Sequence, residues 1–305
     1  MSWRKALAVL GLVAGVLLAP TSLWAQGDYL DVYIAKVKPE KAFEAEGLAR
    51  KIADANRHNN GDRVIAMETV YGEGYTYIFV TQRQDYADVD KGGEAFMGAL
   101  NKAFGKQGSE KLLSDWNNCV ISSRSELRHR RPDLSRKMPA DPASFAKLIG
   151  TSRVLRTTVV HVRPGHVGEF EAFLKEVKER GDRNADVQPL LVSTLAEGGT
   201  GAVFYLTALR TSLGGFDKNP TLKDIVGEET FAKLQKIGAE GFEKTESAVY
   251  RFRPDMSYPP QEISDVAPDY WQPKPAMTGS AKSKSKTPNS EVKPAAAKSD
   301  AKPQQ

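Results

Sequence analysis

The chain is expected to fold as an α+β protein made of two tandem units, each running strand–helix–strand–strand–helix–strand. Three features predict this. Residues 159–183, VVHVRPGHVGEFEAFLKEVKERGDR, read as a strand, a tight Arg-Pro-Gly turn and an amphipathic helix, and residues 34–57, IAKVKPEKAFEAEGLARKIADANR, are a weaker copy. Each is followed by two β-rich segments around a glycine turn, then by a second helical pattern. Both units also leave through the same sequence, Arg131-Pro132-Asp133-Leu134-Ser135 and Arg253-Pro254-Asp255-Met256-Ser257.

In the first unit, Tyr29–Val37 is rich in β-branched and aromatic residues, and Pro39 ends it because proline cannot donate to a sheet ladder. Ala42, Ala45, Leu48, Ala49, Ile52 and Ala53 then recur at spacings of three and four, the signature of a helix with one apolar face. Residues 63–71 and 75–83 read as a hairpin around Gly72-Glu73-Gly74, since glycine allows the backbone that such turns require. Residues 92–116 predict a second helix with a break at 105–108, and residues 119–128 a closing strand. The second unit repeats this order. Val154–Val162 is its first strand, and Val167, Phe170, Phe173, Leu174 and Val177 line its first helix. Residues 190–196 and 201–208 form its hairpin; Thr221 and Asp224 resemble a capping box opening its second helix, and residues 247–252 close it. A short helix is expected near residues 144–148.

The ends differ from this body. Arg4 and Lys5, an apolar run over residues 6–19 and Leu23-Trp24-Ala25 predict a secretory signal peptide over residues 1–25, the alternative being an uncleaved anchor. The protein is therefore expected to be exported, periplasmic or extracellular, with no transmembrane segment after the signal. From about residue 273 Lys, Pro, Ala and Ser dominate and aromatic residues vanish, so this tail is expected to be disordered. The tail holds much of the formal charge of +5 and leaves a near-neutral body, which argues against nucleic-acid binding. A weak contact of the basic tail with anionic envelope surfaces stays open. The one cysteine, Cys119, precludes an internal disulfide and is expected to be a small buried residue. The expected division is a signal peptide 1–25, a first repeat 28–135, a linker 136–152, a second repeat 153–258 and an extension 259–305.

A β-α-β-β-α-β unit has the ferredoxin-like order. The opening Val162-Arg163-Pro164-Gly165, running into Glu169-Phe170-Glu171-Ala172-Phe173, resembles the dimeric α/β-barrel superfamily, including its antibiotic-biosynthesis-monooxygenase-like and NIPSNAP-like members. The resemblance covers most of the chain after residue 28, and its motif describes folding more than chemistry. It implies two sheets face to face, here joined in one chain as an internal pseudo-dimer or paired between chains as a homodimer. It also implies a ligand site inside the barrel or between sheet and helices. Members include cofactor-free oxygenases, haem-handling proteins and isomerases, so the resemblance selects no reaction.

Strand alternation places Lys36 and His161 at matching positions, which face the sheet–sheet interior if Val37 and Val162 cover the helices. His161 is the catalytic candidate, as a general base near its neutral pKa, against the plainer reading of a strand histidine satisfied by a neighbour. Lys36, Glu68 and Ser193 are expected to join it in a polar cluster, and Tyr75 and Tyr77 to line an apolar pocket, with a solvated strand face and core packing as the alternatives. No zinc spacing, nucleophile elbow or phosphate loop is present, and no metal or cofactor is expected. Two functions follow: non-catalytic binding of a small or apolar ligand or a partner, or a cofactor-independent oxygenase or isomerase using His161.

Overall fold

A computed structural model describes residues 27–218 and 220–272. The expected signal peptide and basic tail lie outside these residues. Strands β1 (Tyr29–Val37), β2 (Ile65–Tyr71), β3 (Thr76–Arg83) and β4 (Val120–Arg130) alternate with helices α1 (Ala42–His58) and α2 (Tyr86–Cys119). Helix α3 (Pro142–Thr151) leads into β5 (Val154–Val162), α4 (Val167–Arg183), β6 (Leu191–Glu197), β7 (Ala202–Arg210), α5 (Leu222–Gly241) and β8 (Phe242–Phe252). Two short helices follow, α6 (Gln261–Ser264) and α7 (Pro268–Trp271). No helix among the described residues is long and apolar enough to cross a membrane.

The eight strands close into one antiparallel barrel in the order β1-β3-β2-β8-β5-β7-β6-β4. The protein is thus α+β with a closed barrel. Outward-facing Ala35 and Val37 pack with Ala45, Leu48, Leu100 and Trp116 of α1 and α2 in one core. Val160, Val162 and Phe204 pack with Phe170, Phe173, Val177 and Ile225 of α4 and α5 in a second. The positions of β1 and β5 that meet the helices are small or apolar, among them Ala35, Val37, Val160 and Val162.

The two halves match in detail. Each second helix bends at a glycine with a backbone that side-chain-bearing residues avoid: Gly105 at φ 69°, ψ 166° and Gly227 at φ 78°, ψ 168°. Both glycines stand at the same distance from the end of their helix. The Gly105 break was expected; the one at Gly227 was not. Thr221 and Asp224 form the expected capping box, each accepting from the other's backbone N–H.

The exits interlock the halves. Arg131, leaving β4, bonds Asp133 and reaches across to Glu171 on α4, while the Ser135 hydroxyl accepts from Val192 N on β6. In the mirrored arrangement Arg253, leaving β8, bonds Asp255 and reaches back to Glu46 on α1 and Glu68 on β2, and Ser257 accepts from Ala66 N. Each half is therefore tied down by the chain that leaves the other.

The seams between halves pair only at one end. Residues 127–130 of β4 meet β6, and residues 249–252 of β8 meet β2. Residues 120–126 and 242–248 thus have a single strand neighbour, and they are largely exposed. Charges along them, such as Arg124, Lys244 and Glu246, discourage pairing with another chain. This also explains why β8 starts earlier than the expected residue 247: an edge without an outer partner needs no apolar alternation.

One equivalence is broken. Buried Arg83 ends β3 and binds Asp31 and Asp62 at 3.1 and 2.6 Å. Buried Arg210 ends β7 in the matching register, but Arg156 and Gln188 stand where the two aspartates would. Its Nε has no partner among the described residues, and burial together with Arg156 pulls its pKa down. Nearby Arg136 is pushed down to about 10 by burial and by Arg210. Breaking a paired buried charge costs far more than removing an uncompensated one. Arg210→Met is therefore expected to shift stability by less than about 1 kcal/mol, or to raise it, whereas Arg83→Met costs about 3 kcal/mol. Equal losses at the two positions in urea denaturation would refute this account.

Candidate functional site

Inside the barrel is a cavity of about 660 Å³ lined by the inward residues of all eight strands. That volume suits a drug-sized ligand. Its floor lies where β1 and β5 begin. There Val32, Ile34, Ile65, Met67, Leu155, Leu209 and Phe252 form a third core with Ala146 of α3, Ile263 of α6 and Trp271 of α7. Phe145 and Ile149 of α3 reach the cavity itself. Helix α3 starts at an Asp141 cap that accepts from Ser144 N and is longer than the few residues expected. Together α3, α6 and α7 cap one end of the barrel. The other end, with its unpaired strand edges, is the mouth.

The lumen is not uniformly apolar. Along β4 the inward positions are Arg124, Glu126, Arg128 and Arg130. Glu126 is 6 % exposed and accepts from Arg124 Nε at 2.7 Å, Arg128 Nε at 2.8 Å and the Tyr205 hydroxyl at 3.0 Å. Arg128 Nη2 also donates to it, and the Arg128 guanidinium lies 3.7 Å over the Tyr205 ring. Burial pushes the Glu126 carboxyl up, but Arg128 and Arg124 outweigh it and its pKa falls below the usual range. Burial, with Glu126 beside it, pushes the Tyr205 phenol up to about 12 against the pull of Arg128. Tyr250, across the lumen on β8, is raised by burial as well. Both phenols therefore hold their protons at neutral pH.

The expected site residues separate. His161 lines the cavity near the mouth, opposite Val203 and Lys244 in register. Ser193 lines it at the level of Arg130 and Tyr205. Lys36 shares the inward face with Ile34 and pairs with Glu73, which borders the cavity. Glu68 does not join them. It sits on the outer face, held by Arg253 at 2.7 Å. Its counterpart is Thr194, because Arg253 N bonds Ala66 O as Arg131 N bonds Val192 O. Pairing Glu68 with Ser193 is a one-residue slip, which turns a strand residue to the opposite face. The aromatic pocket does not form either. Tyr77 packs in the α1–α2 core with its hydroxyl donating to Glu46 at 2.9 Å, and Tyr75 is exposed at the hairpin tip with φ 56°. Burial and Glu46 raise the Tyr77 pKa, consistent with an anchored structural phenol. Cys119 is fully buried, and burial raises its thiol pKa.

Sequence reasoning missed Arg124, Glu126, Arg128, Tyr205 and Tyr250. A signal was available: in SRSELRHR, residues 123–130, every second residue is charged, which on an inward strand face means charges inside the barrel. Among the described residues, no His, Cys, Asp and Glu side chains gather as a metal site.

No protein-family model matches the chain, and no curated protein does. Solved structures do. An anthrone oxidase-like protein superposes with a TM-score of 0.49 at 15 % identity, over 75 % of this chain and 93 % of that one. A protein from Lactobacillus acidophilus NCFM, named provisionally as a monooxygenase, gives 0.46 at 8 % identity over 74 % and 94 %. A mutant chlorite dismutase from Candidatus Nitrospira defluvii gives 0.42 at 8 % identity over 81 % and 99 %. Likenesses at this level transfer no chemistry. No role is taken from these structures, and the function is argued from the lumen of this chain alone.

Proposed function

We propose that this is an exported protein of two fused ferredoxin-like units whose shared lumen takes up a small, largely apolar ligand without transforming it. One observation carries the reading: a capped cavity of about 660 Å³ with an apolar floor and a charged wall. The ionic groups near the mouth are mostly spent on each other, as Lys36 with Glu73 and Lys244 with Glu246. Export rests on the basic and apolar character of residues 1–25, and the basic tail after residue 273 is assigned at most a weak contact with anionic envelope surfaces. Native mass spectrometry of the purified protein reads a retained ligand, removal of residues 1–25 and a monomer or homodimer together. Saturable fluorescence of N-phenyl-1-naphthylamine is expected, and Val159→Trp, filling the lumen, should abolish it. An empty native spectrum with no saturable dye binding would overturn the proposal.

The position of His161 on the cavity wall favours a second reading, a cofactor-independent oxygenase or isomerase with His161 as base. Turnover of a phenolic or enolisable compound that disappears in His161→Asn, with dye binding retained, would replace the first reading with this one.

A further inference from the structure

We propose that the ligand carries one negative charge, a carboxylate seated against Arg128 and Arg124 with its apolar body toward the capped floor. This rests on the lumen being a ligand site. The charge balance of the wall points to it. Glu126 accepts from Arg124, twice from Arg128 and from Tyr205, which uses the four or so acceptor positions of a carboxylate. It offers nothing more to a cationic or donor ligand. Two guanidiniums against one carboxylate leave a net positive charge on this part of the wall.

The unused donors are oriented. Arg124 Nη1 and Nη2 and Arg128 Nη1 have no hydrogen-bond partner among the described residues. Arg128 is fixed by two bonds to Glu126 and by stacking on Tyr205, so little freedom is lost when it binds an anion. Glu126 is a positioning residue here: it turns the forks toward the lumen. Tyr250, neutral and on the opposite wall, adds a hydroxyl. Other ionic groups along the lumen do not cancel the charge, since Glu73 and Glu246 are paired with lysines and Arg130 adds a further cation.

The apolar end follows from register. Glu126 stands opposite Val32 and Arg128 opposite Leu30 on β1, so the guanidiniums border the apolar floor directly. A carboxylate entering here leaves water, and only charge-assisted bonds of about 2.7–2.9 Å to the guanidiniums can offset that loss. A neutral polar group gains less. An aliphatic or an aromatic carboxylic acid meets the same requirement.

The test uses the full chain and three probes, dodecanoate, 2-naphthoate and dodecanol, each competing with N-phenyl-1-naphthylamine. At least one carboxylate is expected to bind tenfold or more tightly than dodecanol. Arg128→Met should remove most of that preference and leave dodecanol binding within twofold. Arg124→Met, at a mostly exposed side chain, should reduce the preference and serves if Arg128→Met fails to fold. Which carboxylate wins distinguishes an aliphatic from an aromatic ligand. Equal binding of dodecanoate, 2-naphthoate and dodecanol overturns the anion assignment while leaving the lumen reading intact. A carboxylate preference untouched by both substitutions overturns the assignment to this wall. If neither the dye nor any probe binds, the lumen reading fails first and this inference with it.

Discussion

Arg253→Ala is expected to destabilise the protein by about 3 kcal/mol, the lower end of what removing one partner of a buried ion pair costs. Arg253 is the single cation shared by Glu46, Glu68 and Asp255, at 3.0, 2.7 and 2.9 Å. Its loss leaves Glu46 and Asp255 to Arg50 and Glu68 to Arg251 at 3.7 Å, and unties the exit of the second half from the first. Arg131→Ala should cost less, because Asp133 is half exposed and only Glu171 lies across the seam. The pair also sets a pH dependence. The Glu46 carboxyl is held low by its bond to Arg253 against burial, and burial of Asp255 is outweighed by Arg253 and Arg50. Groups with a depressed folded pKa add stability above their unfolded values of about 4.3 and 3.9, and that stability is lost as pH falls through the folded values. The wild type should therefore weaken steeply below about pH 4, and Arg253→Ala should flatten that slope. Urea denaturation at pH 7 and pH 3.5 measures both effects. A loss below about 1 kcal/mol at pH 7, or an unchanged acid slope, would show that the exits are not structural ties.

Trp271→Ala is expected to cost about 4 kcal/mol, the range for emptying a buried tryptophan site. Trp271 is 1 % exposed, donates from Nε1 to Gly150 O at 2.9 Å and meets the Phe252 and Tyr270 rings edge-on. It joins α7 to α3 and both to the lumen residue Phe252. The substitution should therefore act twice, lowering the urea midpoint and speeding dye release from a loosened floor. Falling stability with unchanged dye kinetics would mean that α7 stiffens the body without closing the lumen.

Much of the architecture was legible in sequence because its signals are local. The 3.6-residue spacing through Val167, Phe170, Leu174 and Val177 specifies α4, and the exact bounds of β1 and β5 follow from β-branched runs ended by proline turns. The inward direction of His161 and Lys36 followed from alternation once Val37 and Val162 are taken to face the helices. The site was less legible. Glu68 was lost to a one-residue slip in matching β2 to β6, which periodicity cannot correct because both registers alternate equally well. The charged wall of β4 was overlooked because alternating charge ordinarily marks a solvated face, and only closure of the barrel turns that face inward.

The sequence by itself determined the element order and the matching Arg-Pro-Asp exits of the two halves. Tertiary structure alone decided three things: that each exit ties down the opposite half, that α3, α6 and α7 close one end of the lumen, and that Arg124, Glu126, Arg128 and Tyr205 meet inside it. The physical reason is range. Helix and strand preferences act within a few residues, whereas Glu126 and Tyr205, or Glu46 and Arg253, become neighbours only when distant strands close a barrel.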